Sequence, residues 1–474
     1  MPRTELDDLR AELAELRASR HMGRVCAVDA GQLRISGLER LARIGDRLRV
    51  IRQGGSALEG EVLSLGNDDL LMQPDGATAG VALGNPVLLL GPADIAPSSN
   101  WLGRVIDPSG RPLDGRPLLR GPVSRPLLGD PPPPAERRGF GERLETGMMV
   151  LNTMLPLVRG QRVGLFAGSG VGKSSLLAHL ARHMQADVVV VALVGERGRE
   201  LRDFIATVLG EEGMKRAVVI AATSDRSALV RRRCAWTAMA VAEHFRDRGL
   251  HVLLLADSIT RFAEAHREVA VGGGEAAALR GFPASTAHTI MSLCERAGPG
   301  AHDSGDITAV FSVLVAGSDM DEPVADILRG VLDGHVVLDR QIAERGRYPA
   351  IDLLRSVSRS LPAAASEAEL ALISETRHLL GAYQQSEMMI RAGLYVDGSD
   401  PLLDRAISIW PELDGFIAEA ERIDSTNSFA RLGLILRRAK PSRPPSVQAG
   451  LSLSSSQVAR QSAPAVARTG ITAG

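Results

Sequence analysis

The segment Ala167-Gly-Ser-Gly-Val-Gly-Lys-Ser174 constrains the fold of this chain more than any other stretch. The apolar run Val163–Phe166 precedes it, and Ser174–Met184 has the apolar spacing of a helix. A glycine-rich turn between a strand and a helix is typical of the P-loop, where backbone N–H groups and the positive end of the helix bind phosphate. The sequence therefore predicts a nucleotide site, although Ala167 stands where the first glycine of the pattern is usual.

The residue types of this loop suit the chemistry of a phosphate site. The ammonium group of Lys173 is expected to reach the β- and γ-phosphate oxygens, and the hydroxyl of Ser174 to bind Mg²⁺. Glycine allows a positive φ angle and a close approach of the backbone to the ligand. The residues expected to surround the phosphates are Gly168, Ser169, Gly170, Val171, Gly172, Lys173, Ser174 and Ser175.

Two acidic residues follow predicted strands. Asp257 ends the apolar run Leu253–Ala256, and Glu196 follows the run Val188–Val194. Ligands of open α/β sheets bind at the carboxyl ends of the strands, which places both acids near the P-loop. Asp257 is expected to bind Mg²⁺ or its water beside Ser174. Glu196 is expected to orient the attacking water, with Glu200 as the alternative.

Changes in sequence pattern divide the chain of 474 residues into five segments. Short alternating apolar runs separated by turn residues predict a small antiparallel barrel, and long apolar runs alternating with helices predict a parallel sheet covered on both faces. At the start of the segment that carries the parallel sheet, Asn100–Pro134 is rich in glycine and proline and predicts a connector with little regular structure. The segments are an N-terminal amphipathic stretch (1–20), the barrel (21–93), the α/β P-loop domain (94–360), a small helical domain (361–440) and a disordered tail (441–474).

Composition narrows the classes of function. The net charge of −1 and the low aromatic content argue against nucleic-acid binding, and three widely spaced cysteines show no metal-binding pattern. No apolar run reaches the length of a membrane span, so we expect a cytoplasmic protein. Arg231-Arg-Arg233 lies in a predicted helix and is interpreted as a solvent-exposed face. The leucines at positions 6, 9, 13 and 16 form a stripe, which is either an arm lying on its own domain or a docking segment for a partner helix.

Five motifs in the same order resemble the α and β subunits of the rotary ATPases, and in particular the flagellar and type III protein-export ATPases. The resemblance extends from Gly23 to Arg438. It includes an alanine at the head of the P-loop. The motifs are Ala167–Ser174, Gly195–Glu200, Ala222–Asp225, Asp257–Phe262 and Pro349–Ser358.

This resemblance implies a homohexameric ring with ATP sites between subunits and with Mg²⁺ as the cofactor. It implies that Lys173, Ser174 and Asp257 hold the phosphates and Mg²⁺, and that Glu196 is the catalytic carboxylate. The resemblance also implies roles for residues that the sequence pattern alone does not single out. Arg197 and Arg261 would lie near the γ-phosphate, Arg359 would act as an arginine finger in the neighbouring subunit, and Tyr348 would stack on adenine, with Tyr395 on its second face.

The implied function is ATP hydrolysis that energises flagellar protein export at the inner face of the cytoplasmic membrane. The implied partners are a stator-like regulatory dimer at residues 1–20, export-gate membrane proteins, and complexes of export chaperones with their substrates, without nucleic acid. The alternatives are a type III virulence secretion ATPase, the catalytic subunit of a rotary ATP synthase, an RNA-dependent ring helicase and a non-catalytic nucleotide-binding scaffold. An acidic C-terminal lever would favour the synthase, and clustered basic and aromatic residues on the barrel would favour the helicase; neither feature is present in the sequence.

Overall fold

The computed structural model describes residues 19–29, 31–54, 57–315 and 320–438. The leucine stripe of the N-terminal segment and the tail from residue 441 lie outside this part of the chain. Among the helices that the structure describes, none combines the length and the apolar character needed to span a membrane.

A closed barrel forms the N-terminal unit, as its alternating pattern predicts. Its strands pair in the order β1-β2-β5-β4-β3-β6. Alternate residues point inwards, so that Leu33, Ile35, Leu48, Val50 and Leu70 are fully buried in the barrel interior. The strands are β1 (Met22–Asp29), β2 (Gln32–Ser36), β3 (Asp46–Ile51), β4 (Ala57–Leu65), β5 (Leu70–Pro74) and β6 (Pro86–Pro92).

The central unit is an eight-stranded sheet in the order β16-β15-β10-β14-β13-β11-β12-β8, in which only β16 runs antiparallel to its neighbour. Alternate residues of Val188–Glu196 enter two separate cores, which shows that the sheet is covered on both faces. The remaining strands are β7 (Asp94–Ile95), β8 (Arg104–Ile106), β9 (Arg125–Pro126), β10 (Arg162–Ala167), β11 (Val188–Glu196), β12 (Ala217–Thr223), β13 (Val252–Asp257), β14 (Ile307–Leu314), β15 (Gly334–Leu338) and β16 (Ile351–Ser358), with β7 and β9 forming a separate pair.

Helices cover both faces of this sheet. The helices are α1 (Met149–Thr153), α2 (Lys173–His183), α3 (Gly198–Asp203), α4 (Gly210–Lys215), α5 (Ala228–Arg246), α6 (Ile259–Gly272), α7 (Ser285–Glu295), α8 (Pro323–Val331) and α9 (Arg340–Glu344). A π-helical segment, Phe204–Leu209, joins α3 to α4, and short 3₁₀ turns occur at Ser99–Trp101 and Leu279–Gly281. Helix α5 contributes Cys234, Met239 and Phe245 to the core on its side of the sheet.

A helical unit follows the sheet, as the sequence predicts, and consists of α10 (Glu367–Arg391), α11 (Pro401–Ala418) and α12 (Ser425–Arg438). Helix α10 starts with a capping box, in which Ser366 caps the helix and Glu369 bonds back to the Ser366 backbone. Leu380, Phe416 and Leu432 continue the core on one face of the sheet. The helical unit is therefore packed directly onto the P-loop unit.

The interpretation of Arg231–Arg233 as a solvent-exposed face is wrong. Arg232 and Arg233 are 7% and 2% exposed. Arg232 Nη2 donates to Glu61 Oε1 over 2.9 Å, and Arg233 bonds to both Glu61 (3.3 Å) and Asp75 (3.1 Å). The two guanidinium groups therefore join α5 to the acidic outer face of the barrel, a contact between segments that are far apart in sequence.

The connector Asn100–Pro134 contains one element that its composition does not predict. Residues 104–106 form β8, which pairs in parallel with β12 at the edge of the central sheet. The guanidinium of Arg104 forms a bidentate pair with Asp114 at 2.7 and 2.8 Å, which closes the following turn against the strand. A three-residue strand is too short to show a recognisable period of apolar residues. It is therefore identified only by its pairing with β12.

Candidate active site

The P-loop lies between β10 and α2. Strand β10 ends at Ala167 and α2 begins at Lys173. Gly170 and Gly172 have φ angles of 78° and 91°, in the left-handed region that side chains disfavour. Val171, Leu176 and Leu177 are buried and anchor the turn and the helix, while Ser174 and Ser175 are exposed at the start of α2. The loop thus presents the first backbone N–H groups of α2 to solvent, the arrangement that binds phosphate.

The carboxyl ends of β10, β13 and β11 meet at one edge of the sheet, because all three strands run in parallel through β14. This brings Lys173, Asp257 and Glu196 together. The Lys173 ammonium group forms an ion pair with Asp257 Oδ1, and both side chains are about nine-tenths buried, at 10% and 7% exposure. This arrangement is consistent with the prediction that the two acids lie beside the P-loop.

Glu196 is 9% exposed, and its Oε1 atom lies 3.3 Å from Nε of Arg261. Burial of the carboxyl group, a hydrogen bond with Glu200 and the negative charge of Asp257 raise the pKa of Glu196 to about 7. The positive charges of Arg261 and Lys173 act in the opposite direction. A carboxyl group with a pKa near neutrality is suited to accepting a proton from water.

Ser312 is a member of this group that the sequence analysis did not identify. Its Oγ donates a 2.6 Å hydrogen bond to Oδ1 of Asp257. Ser312 is fully buried within β14, between Phe311 and Val313. The available signal was a serine near the carboxyl end of a buried strand whose other residues, apart from Thr308, are apolar, since a buried polar group needs a hydrogen-bond partner.

The two arginines expected near the γ-phosphate differ in position. Arg261, at the start of α6, contacts Glu196 and lines a cleft of about 940 Å³ together with Gly168 and Ser169 of the P-loop. Arg197 follows Glu196 in sequence, but its side chain is 80% exposed and pairs with Glu200 at 3.5 Å. The structure therefore brings Arg261 into the group around Glu196 and leaves Arg197 at its surface.

Tyr348 lies against the P-loop. A Cβ atom at Gly172 would be 3.1 Å from Cδ1 of the Tyr348 ring, and the tyrosine is 51% exposed. An exposed aromatic face beside a phosphate-binding loop is available for stacking on a base. Tyr395 lies in the loop after α10, where its hydroxyl donates to Asp404 Oδ1 at 2.6 Å and to the Asp400 carbonyl at 3.1 Å. Its side chain is thus held against the start of α11, and its contact with adenine stays a prediction.

Arg359 lies at the opposite edge of the sheet from the P-loop. It follows Ser358, which pairs with Gly334 at the amino end of β15. At the other end of β15, Leu338 pairs with Ala167, from which the P-loop begins. The length of β15 alone separates the two ends by about 13 Å. Arg359 and the P-loop of the same chain therefore lie at opposite ends of the parallel strands.

The oxygen ligands at the loop fit a magnesium ion that arrives with a nucleotide. A hydroxyl (Ser174) and a carboxylate (Asp257) are hard donors, and Mg²⁺ in phosphate sites uses one or two such side chains together with phosphate oxygens and water. Within the described ranges, no group of three or more histidine, cysteine, aspartate or glutamate side chains could hold a metal ion by itself. The site thus supplies part of a coordination shell and leaves the rest to the substrate.

Two family models match the units that carry these features. The model of the nucleotide-binding domain of the ATP synthase alpha/beta family matches residues 147–358. The model of the EscN ATPase C-terminal domain of type III secretion systems matches residues 365–432. The P-loop, the two acids and the parallel sheet therefore define an ATPase domain of the ATP synthase alpha/beta class.

Relatives that align with nearly the whole chain identify the group within this class to which the chain belongs. The flagellum-specific ATP synthase of Caulobacter vibrioides is 44% identical over 88% of this chain and 96% of its own length. The type 3 secretion system ATPase of Pseudomonas savastanoi pv. phaseolicola is 42% identical over 86% and 92%. The chain belongs to the family of flagellum-specific and type III secretion ATPases.

Solved structures agree with this assignment. The assembled ATPase EscN of the enteropathogenic E. coli type III secretion system has a TM-score of 0.80 and 34% identity, covering 87% of this chain and all of its own. The structure of assembled EscN in complex with its central stalk EscO has a TM-score of 0.79 at the same identity and coverage. The barrel, the sheet with its P-loop and the C-terminal helices thus share the fold of this family.

Proposed function

We propose that this chain hydrolyses Mg-ATP as the ATPase of a flagellar protein-export apparatus, acting in a homohexameric ring. The family membership supports the activity, and the flagellum-specific relatives support the choice of export system. The observation that carries the enzymatic part is the group formed by Lys173, Asp257 and Glu196 at the carboxyl edge of the sheet. A non-catalytic scaffold would not require a buried carboxyl group with a raised pKa at this position.

Each side chain of the group has a role in this proposal. Lys173 binds the β- and γ-phosphates and is released from Asp257 when they arrive. Ser174 and Asp257 hold Mg²⁺ or its water, and the ion supplies charge neutralisation on the phosphates. Glu196 orients the attacking water and accepts its proton. Arg261 keeps Glu196 in place, and Tyr348 provides the stacking face for adenine.

The position of Arg359 supports a site shared between subunits. Its guanidinium is held at the edge of the sheet opposite to the P-loop, so it is available to a neighbouring chain rather than to its own site. An arginine that enters from a neighbour neutralises charge on the phosphoryl group in the transition state, which accelerates phosphoryl transfer by about 10³-fold or more. Hydrolysis should then depend on assembly of the ring.

Steady-state ATPase rates measured against protein concentration test this proposal, with Arg359→Ala in parallel. We expect a specific activity that rises with concentration, and an Arg359→Ala variant that binds nucleotide and assembles but turns over about 10³-fold more slowly. Arg438→Ala is the matched control, because Arg438 is an exposed arginine that pairs with Glu412 within the C-terminal helical unit. A concentration-independent rate that ignores Arg359 would contradict the shared site while leaving the nucleotide site intact.

Virulence secretion is the second candidate, since a type 3 secretion system ATPase and EscN are among the similar proteins. Expression of the chain in a motility mutant that lacks its flagellar export ATPase separates the two systems. Restored swimming supports flagellar export, whereas restored secretion only in a virulence-system mutant supports the alternative. Loss of either rescue in Glu196→Gln would show that hydrolysis is required.

The partners follow from the same proposal. The EscN–EscO complex supports a central stalk protein inside the ring. We further propose that residues 1–20 bind a stator-like regulatory dimer, and that the ring delivers chaperone–substrate complexes to export-gate membrane proteins at the inner face of the cytoplasmic membrane. Deletion of residues 1–20 should then abolish binding of the regulator while preserving the ATPase activity of assembled rings.

A further inference from the structure

The turn Leu332–Gly334, which leads from α8 into the first residue of β15, makes direct contact with Arg359. The backbone N–H of Arg359 donates to the Asp333 carbonyl at 3.1 Å. Nη1 of Arg359 donates to the Leu332 carbonyl at 3.0 Å, and Nη2 donates to the Arg329 carbonyl at 3.1 Å. Two donors of the guanidinium are thus bound by carbonyls at the carboxyl end of α8. The remaining donors stay available to a ligand.

An ion pair holds this turn against β10. The carboxylate of Asp333 accepts hydrogen bonds from the backbone N–H, Nε and Nη2 of Arg162, each at 3.0 Å. The Asp333 carbonyl also accepts from Nε2 of Gln161 at 3.0 Å. Charge-assisted bidentate pairs fix both distance and orientation. The turn is thus fixed to β10, the strand that leads to the P-loop.

Gly334 permits the close approach of the turn to the chain that carries Arg359. Its φ angle is 149°, and a Cβ atom at this position would lie 2.6 Å from the Val357 carbonyl oxygen and 3.4 Å from the backbone nitrogen of Arg359. Both of these atoms belong to the backbone, so neither can move away as a flexible side chain would. Any side chain at position 334 should therefore displace the end of β16 and, with it, Arg359.

We infer that Asp333 and Gly334 are positioning residues for the arginine finger, a role that rests on the proposed function. They act on catalysis in the neighbouring subunit through Arg359 and do not contact its substrate. A donor aimed at a developing charge must be held before the reaction begins, because reorientation during the reaction costs activation free energy. The paired carbonyls, the Arg162–Asp333 ion pair and the glycine together provide such a fixed position.

Gly334→Ala and Asp333→Asn test this inference in kinetic assays of the full-length chain. We expect kcat to fall by about tenfold or more in each variant, while KM and nucleotide binding to the unassembled chain stay within about twofold. Gly330→Ala is the matched control, since a Cβ atom there would meet nothing within 4 Å. An unchanged kcat in both test variants would overturn the inference.

Mixed rings distinguish a displaced finger from a damaged site. A Glu196→Gln chain has a normal finger and an inactive site, whereas Arg359→Ala has a normal site and no finger, so mixing the two should restore activity. Gly334→Ala should regain activity with Glu196→Gln to the same extent as Arg359→Ala does, and should regain none with Arg359→Ala. The same two results are expected for Asp333→Asn.

The remaining outcomes each have a definite meaning. Recovery of Gly334→Ala with Arg359→Ala, or recovery with neither partner, would show that the variant's own site is damaged and would overturn the positioning role of that residue. No recovery in the reference mixture of Glu196→Gln with Arg359→Ala would instead contradict the shared site of the proposed function. The mixed rings therefore distinguish a failure of the inference from a failure of the proposed function.

Discussion

Glu196 is the last residue of β11, where burial and two acidic neighbours oppose its ionisation. Replacing it with glutamine keeps the size and shape of the side chain but removes the base. We expect Glu196→Gln to bind ATP normally and to lose about 10²–10⁴-fold in kcat. Nucleotide binding by fluorescence and turnover by phosphate release provide the two measurements. Turnover close to that of the unaltered chain would remove Glu196 from the mechanism.

The raised pKa of Glu196 predicts a pH dependence. Only the ionised carboxylate can accept a proton, and its pKa is about 7, so kcat/KM should fall as the pH drops below about 7. The Glu200 hydrogen bond raises this pKa and the Arg261 charge lowers it. Glu200→Ala should therefore move the acid limb of the profile to lower pH, and Arg261→Ala should move it to higher pH. Shifts in the same direction in both variants would contradict this assignment of the limb.

At the scale of elements, α5 is attached to the barrel by buried charges rather than by apolar packing alone. Removing one partner of a buried ion pair leaves its counterpart uncompensated, at a cost of about 3–5 kcal/mol. Arg233→Ala removes the guanidinium that pairs with Asp75 and leaves Glu61 with Arg232 alone, so it should lower the free energy of unfolding by about that amount. Urea denaturation followed by tryptophan fluorescence measures it, because Trp236 lies on the same helix.

Lys215→Ala is the control for this prediction. Lys215 pairs with Glu212 at 2.6 Å, but both side chains are more than two-thirds exposed. An exposed pair of this kind contributes less than about 1 kcal/mol. A loss in Arg233→Ala no greater than the loss in Lys215→Ala would show that the buried pairs do not stabilise the junction between barrel and sheet.

For the whole molecule, the ligands of the site predict separate effects of magnesium on activity and on stability. Ser174 and Asp257 provide too few ligands for a resident ion, and in the described part of the chain no larger cluster exists. Chelation of Mg²⁺ should therefore abolish ATP hydrolysis without lowering the unfolding temperature of the nucleotide-free protein. Calorimetry with and without a chelator measures the second effect. A lower unfolding temperature on chelation would indicate a structural metal.

Most of the fold follows from local pattern. The uninterrupted apolar runs of β11 and β13 indicate a sheet buried on both sides, and the alternation in β2 and β3 indicates a barrel, since each pattern reports how many faces of a strand are buried. The strands β8, β15 and β16 were not among those predicted. They are short or carry charged residues, and their pairing with distant strands is what defines them.

The sequence by itself determined the P-loop, the acids that end β11 and β13, and the helical character of the C-terminal unit, because short-range spacing and turn chemistry specify such features. Only the tertiary structure decided that Arg233 is buried against the barrel, that Ser312 binds Asp257, and that Arg359 lies away from its own P-loop. The raised pKa of Glu196 was also decided only by the tertiary structure. Burial, charge pairing and direction depend on residues brought together across many positions of the chain, and local spacing carries no information about them.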